Sequence, residues 1–247
     1  MRTFSTMFKT ELKLSLRGMD MFIFAICMPI VVLVVIGIIY GDKPAFDGAG
    51  YTFFQQSFGA IASIAICAGG VMGLPLVVSD YRSKHVLKRF QVTPVRPFVI
   101  LLVQVTIYAL YALVSLLSLF AIAALCFGFR MQGNLWGFVL GWLLVMISMF
   151  SIGMMVGGIA KNSKIAGVIA SLLYFPMLVF SGATLPYEVM PMPMQKIVDV
   201  LPLTQGIKIL KTATLGLPID NMVLPICVSA VIAIICIGIS IRFFKWE

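Results

Sequence analysis

The chain has 247 residues, of which 61% are hydrophobic and 11% are charged. A soluble domain has about 45–50% apolar and about 25% charged residues, so this composition excludes an ordinary soluble protein. The formal net charge is +9. A membrane protein explains this excess without a nucleic-acid partner, because basic residues collect on the face that contacts anionic lipid head groups.

The N-terminal segment, residues 1–19, has the pattern of an amphipathic helix. Its apolar residues recur every four positions, at Phe4, Phe8, Leu12 and Leu16. Basic residues recur at the same spacing on a neighbouring face, at Lys9, Lys13 and Arg17. The pattern predicts a helix in the membrane interface, with its apolar side in lipid and its basic side among the head groups. A frayed basic tail is the alternative.

Six charge-free apolar runs follow, each long enough to cross a membrane. They cover residues 21–40, 54–79, 98–127, 135–160, 165–186 and 221–241. Lipid offers no hydrogen-bond partner to a bare backbone, so these runs must be helical. The first is too long for the apolar core of a cleavable signal peptide. No ionisable side chain other than cysteine or tyrosine lies in the middle of a run, which disfavours a proton- or ion-coupled transporter.

Basic residues are distributed unequally between the two ends of these runs. Thirteen of the 18 lie in the N-terminal segment, in the loops after the second and fourth runs, and in the C-terminal tail. The positive-inside rule places those segments in the cytoplasm. We therefore expect a multi-pass protein of the cell membrane with both termini in the cytoplasm.

The loop at residues 80–97 reads DYRSKHVLKRFQVTPVRP and is the most charged stretch of the chain. Its apolar residues fall on one face of a short predicted helix, which Pro94 and Pro97 would end. A compact helix of this kind is typical of a protrusion against which a partner docks. Simple anchoring of the basic residues to the membrane is the alternative.

The segment at residues 187–218 is apolar but is interrupted by prolines. Short helical patterns lie between the prolines and are too short to cross a membrane. They predict outer re-entrant or interfacial helices, which are tolerated at depth only when they pack on protein or line a cavity.

Polar residues in the third run form one stripe at helical spacing: Gln104, Tyr108, Tyr111, Ser115 and Ser118. They could line a substrate path, or they could join helices through hydrogen bonds. Glycine pairs four residues apart, at 69/73, 137/141 and 153/157, predict close helix packing.

No catalytic or metal-binding pattern accompanies these features. The chain lacks a phosphate-binding G-x-x-x-x-G-K-[ST] loop, a catalytic triad and paired carboxylates, and its cysteines lie inside the apolar runs. We therefore expect neither enzymatic activity nor a metal site.

Four segments together resemble the permease subunits of the ABC-2 family of ATP-binding cassette transporters. They are the amphipathic segment before the first run, SDYRSKHVLKRFQVTPVRP after the second, FSGATLP at the end of the fifth, and LPLTQGIKILK before the sixth. His85 stands where the family usually has glycine. The resemblance covers nearly the whole chain and is closer to drug- and peptide-efflux members than to polysaccharide exporters.

The resemblance implies one transmembrane domain over residues 1–247, with six spans and re-entrant outer helices between spans five and six. Two permease subunits would form a pore with two separate ATPase subunits. A cytoplasmic coupling helix after span two would sit in a cleft of the ATPase. The candidate docking surface consists of Asp80, Arg82, Val86, Leu87, Lys88, Arg89 and Phe90.

The resemblance also implies a function. The chain would be a permease subunit of an ATP-driven exporter that moves a lipophilic or amphipathic solute, such as a drug, antibiotic, peptide or lipid-like molecule. It would bind no cofactor, because ATP and Mg²⁺ would belong to the ATPase. Its expected partners are that ATPase, an identical or related permease and membrane lipids. An ATP-independent channel and an exporter of lipid-linked glycans are the alternatives.

Overall fold

The structure is a computed structural model, and it describes residues 2–18, 22–46, 50–84, 97–181, 190–218 and 222–243. These ranges are helical or irregular, with an isolated antiparallel bridge between Pro44 and Thr52. Six of the described helices are long and apolar enough to cross a membrane. The prediction of an all-α membrane protein with six spans is confirmed.

The described helices are numbered in chain order. They are α1 (Arg2–Gly18), α2 (Ile23–Tyr40), α3 (Phe53–Ser83), α4 (Pro97–Phe127), α5 (Leu135–Ile159), α6 (Ser163–Phe180), α7 (Met192–Val198), α8 (Pro202–Leu215) and α9 (Val223–Phe243). Helices α2 to α6 and α9 are the spans. Helix α6 ends before the predicted limit at residue 186, and residues 182–189 lie outside the described residues.

Side-chain caps fix the starts of three spans. Thr52 and Gln55 form a capping box at the start of α3, in which each side chain accepts a hydrogen bond from the backbone N–H of the other residue. The side chains of Asn134 and Asn162 cap α5 and α6. Such caps supply partners to the first N–H groups of a helix, which have none within it.

Helix α3 lies at the centre of the fold. Within its most apolar stretch 78% of the residues are buried, against 28% in α2, α4 and α9 and 17% in α6. Midway along α3 the backbone forms a π-helical turn, Ala68–Gly73. The less buried spans therefore keep large apolar faces for lipid or for another chain.

Helix α5 packs against α3 through glycine. A Cβ atom added to Gly153 would lie 1.9 Å from the carbonyl oxygen of Gly70, and one added to Gly157 would lie 2.9 Å from Val78. Gly141 is similarly close to a side chain of α8, whereas Gly137 faces open space apart from its own helix cap. The predicted close packing is confirmed at the 153/157 pair, and the prediction is wrong for Gly137.

Helix α8 packs deeply between α3 and α5. A Cβ atom on Gly206 would lie 2.9 Å from Val145, near the middle of α5, and one on Gly133, just before α5, would lie 1.9 Å from the carbonyl oxygen of Ala213. Helix α8 therefore runs antiparallel to α5 and begins at its middle. This packing is what a re-entrant helix requires, but the depth of α8 in a membrane stays a prediction.

The apolar face of α1 packs on protein. Phe4, Phe8 and Leu12 are half-buried against a cluster that contains Ala25 of α2 and Ile107 of α4. The expectation that the apolar face lies in lipid is wrong for these three side chains, which the neighbouring spans partly cover, whereas Leu16 of the same predicted face is exposed. The position of α1 in a membrane interface stays a prediction.

Candidate functional site

The candidate site lies where the end of α3 meets α1, α4 and α5. The loop was predicted to begin at residue 80, but α3 continues through Ser83. Residues 80–83 therefore extend the span, and the predicted boundary is wrong. The physical reason is that the side chains of Tyr81 and Arg82 have partners on neighbouring helices, which hold this charged turn in helical form.

Arg82 joins the end of α3 to the end of α5. Its Nη1 donates a hydrogen bond of 2.6 Å to the carbonyl oxygen of Gly158 and a longer one of 3.5 Å to that of Ala160. The last carbonyl groups of a helix have no partner within the helix, and a positive charge there is favoured by the helix dipole. Arg82 thus caps α5 and holds it beside α3.

Tyr81 joins α3 to α1 and α4. Its hydroxyl donates to Oε2 of Glu11, and Nε2 of Gln104 donates both to this Oε2 at 3.0 Å and to the Tyr81 oxygen at 3.0 Å. A second bond joins α4 to α1, from the hydroxyl of Tyr111 to Oγ of Ser15 at 2.8 Å. Because a charged acceptor strengthens such bonds, this network holds the three helices in one arrangement.

The stripe on α4 faces the protein interior over most of its length. Gln104, Tyr108, Tyr111 and Ser115 are buried, and Ser118 is half-buried. The hydrogen bonds of Gln104 and Tyr111 match the packing interpretation for these two residues. A role of the stripe as a substrate path stays a prediction.

The predicted docking surface falls mostly outside the described residues. Asp80 lies in the last turn of α3, where its carboxylate pairs with Nζ of Lys84 at 2.8 Å. The pair is partly exposed, so we expect it to contribute less than about 1 kcal/mol. Arg82 points to α5, as described above. The other candidates lie outside the described residues and stay predictions: Val86, Leu87, Lys88, Arg89 and Phe90.

Glu11, Ser15 and Tyr81 were missed as site residues. Glu11, Ser15 and Gly18 are spaced at i, i+4 and i+7, so they share one face of α1. This spacing could have indicated that Glu11 and Ser15 contact the same neighbouring helices. The identity of their partners on α3 and α4 could not be read from that spacing.

Comparison with known proteins shows which family the chain belongs to. The family model of the ABC-2 type transporter matches residues 2–215. Nodulation protein J of Rhizobium leguminosarum bv. viciae is 33% identical over 93 residues, and Nodulation protein J of Neorhizobium galegae is 31% identical over 94 residues. Each match covers 38% of this chain and 34% of the relative, so the chain spans about a third of the length of the curated relatives it matches. Because the family model covers most of its length, the chain belongs to the ABC-2 type transporter family, as a membrane component of such a transporter.

Proposed function

We propose that the chain is the permease subunit of an ATP-driven exporter. With a second permease subunit it would form the path that carries a lipophilic or amphipathic solute out of the cytoplasm or the inner leaflet. The observation that carries this proposal is the family match over residues 2–215, within which the end of α3 is joined to three other helices. That end lies directly before the segment predicted to dock on the ATPase.

The joined end of α3 supports a mechanical role for this segment. Movement imposed on residues after Ser83 would reach Arg82 and Tyr81 first, and through them α5 and α1. Because hydrogen bonds hold these elements together, they would move as one body, as in other rigid-body transitions. ATP and Mg²⁺ would be held by the partner ATPase, and this chain would supply the pathway.

The exposed faces support a partner within the membrane. Large apolar side chains are exposed along α2, α6 and α9, such as Ile38, Leu172 and Ile241. Lipid would cover part of this surface, and a second permease, identical or related, would cover another part. The excess of basic residues at one set of helix ends favours a cell-membrane location with both termini in the cytoplasm.

A groove between α4 and α5 supports a lipophilic solute. It has a volume of about 730 Å³, and its lining is almost entirely apolar, with Leu113, Phe120, Leu143 and Met146 among the residues. An apolar part of a solute that moves from lipid into this groove stays in apolar surroundings, so its transfer costs little free energy.

The test is a pull-down from native membranes with mass spectrometry of the recovered proteins. The double variant Leu87→Asp/Phe90→Asp places charge on the proposed docking face. Phe46→Asp is the matched control, because Phe46 is exposed in the loop at the other end of the spans. We expect an ATP-binding cassette ATPase with the wild type and the control, and its loss from the double variant.

Two results would contradict the proposal. Recovery of no such ATPase with the wild type would favour the ATP-independent channel, and flux without ATP in proteoliposomes would then be expected. Undiminished recovery of the ATPase with the double variant would show that Leu87 and Phe90 do not form the docking face. Export of a lipid-linked glycan in preference to amphiphiles would leave the ATPase partner unchanged and correct only the solute.

A further inference from the structure

A cavity of about 560 Å³ lies beside the hydrogen-bond network of α1, α3 and α4. We call it the Glu11 cavity. Its polar lining consists of Glu11, Ser15, Asp80, Tyr81, Gln104 and Tyr108, with Ser163 at the start of α6. The volume is in the range of small-molecule sites, and apolar side chains of α1 and α3 form the remaining wall.

The Glu11 cavity is acidic in a basic protein. Glu11 and Asp80 are in its lining, and among the described residues of that lining there is no Lys, Arg or His. Asp80 is neutralised by Lys84. Among the described residues Glu11 has no ion pair, since its hydrogen-bond donors are the uncharged Tyr81 and Gln104. A half-buried carboxylate in this position favours a cation within reach.

Tyr108 gives an independent indication of a ligand. Its side chain lines the cavity, only 2% of it is exposed, and its hydroxyl oxygen, which has no hydrogen bond to another described residue, is not fully enclosed by protein. Buried tyrosine hydroxyls normally have a partner. A ligand that donates hydrogen bonds would supply one.

We propose that the Glu11 cavity binds the ammonium group of an amphiphile. The carboxylate of Glu11 would accept from the ammonium group, the Tyr108 hydroxyl would accept a second hydrogen bond, and the apolar wall would contact the adjoining carbons. A metal ion fits less well, because the described residues contain no group of three or more metal-ligating side chains. Both an amine-bearing lipid and a soluble amine contain such an ammonium group. The inference concerns binding to this chain alone and does not depend on the proposed export.

The test uses three ten-carbon amphiphiles that differ in head-group charge. The full chain in neutral maltoside micelles is titrated with decylammonium, decanol and decyl sulfate by isothermal titration calorimetry. We expect saturable binding of decylammonium alone. Glu11→Gln keeps the size and the acceptor oxygen but removes the charge, and it should weaken binding at least about tenfold. Asp42→Asn, an exposed acid at the other end of the spans, should leave binding unchanged.

A second variant keeps the test decisive if Glu11→Gln does not fold. Tyr108→Phe leaves the hydrogen bonds of Glu11 in place, and we expect it to weaken decylammonium binding about threefold. The proposal is overturned if decylammonium binds no better than decanol, or if neither cavity variant weakens its binding while the helical circular dichroism spectrum is retained.

The source of the amine is decided in nanodiscs. Phosphatidylethanolamine added to phosphatidylglycerol nanodiscs should compete with decylammonium in the wild type and not in Glu11→Gln if the natural ligand is a lipid head group. Absence of that competition, with decylammonium binding retained, assigns the cavity to a soluble amine.

Discussion

The contact between α3 and α5 at Gly153 gives a prediction with a magnitude. In Gly153→Ala the new Cβ would lie 1.9 Å from the carbonyl oxygen of Gly70. A carbon–oxygen contact normally measures about 3.3–3.6 Å, so the two helices would have to separate by about 1.5 Å. A gap of only about 0.5–1 Å already forfeits a quarter to a half of the dispersion attraction between facing atoms. Overpacking of this kind typically costs about 1–3 kcal/mol.

Gly137→Ala is the matched control on the same helix. The nearest atom to its new Cβ is Cβ of Asn134 at 4.0 Å, which is ordinary van der Waals contact. Alanine favours a helix over glycine by up to about 1 kcal/mol, and both variants share this gain. It cancels in the comparison, so we expect Gly153→Ala to be less stable than Gly137→Ala by about 1–3 kcal/mol, the overpacking cost.

The assay is reversible unfolding in mixed micelles, titrated with dodecyl sulfate and followed by the circular dichroism of the helices. We expect Gly137→Ala at or above the midpoint of the wild type and Gly153→Ala below it. Equal midpoints for the two variants, or a higher midpoint for Gly153→Ala, would refute the close contact between α3 and α5.

Three further variants test other contacts. Arg82→Met removes a charged donor from the end of α5 and should lower stability by about 1.5–3 kcal/mol in the same assay, with partial recovery in Arg82→Lys. Lys208→Met removes the 2.6 Å ion pair with Asp199, which lies just before α8. If the two charges are coupled, the double variant Lys208→Met/Asp199→Asn should lose less stability than Lys208→Met alone. Gly133→Ala would place Cβ 1.9 Å from the carbonyl oxygen of Ala213, and hydrogen exchange in α8 should become faster; unchanged exchange would contradict that contact.

The spans could be predicted because lipid imposes a local rule on sequence. A charge-free run of about 20 residues must be helical wherever it lies in the chain. The rule fails at the end of α3, where Asp80 and Arg82 look like the start of a loop. Arg82 remains helical because the free carbonyl groups of α5 accept its hydrogen bonds. That partner is 76 residues away in sequence and leaves no local signal.

The candidate site was predicted in part. Helical spacing placed Gln104 and Tyr111 on one stripe, and the structure shows both on the face of α4 that meets α1. Glu11 was not singled out from the sequence, because its role depends on which helices fold against α1. Periodicity within one helix assigns a face but does not name the residues opposite.

The network around Glu11 also has a consequence for the order of biosynthesis. Glu11 is made early, but its partners Tyr81 and Gln104 follow it by 70 and 93 residues. At a synthesis rate of about 5–20 residues per second, α1 waits roughly 5–20 s before α4 completes its binding surface. During that interval the apolar face of α1, with Phe4 and Phe8, lacks the α4 side chains that later cover it. Part of the apolar face of the first helix therefore has no protein contact until the third span has been synthesised.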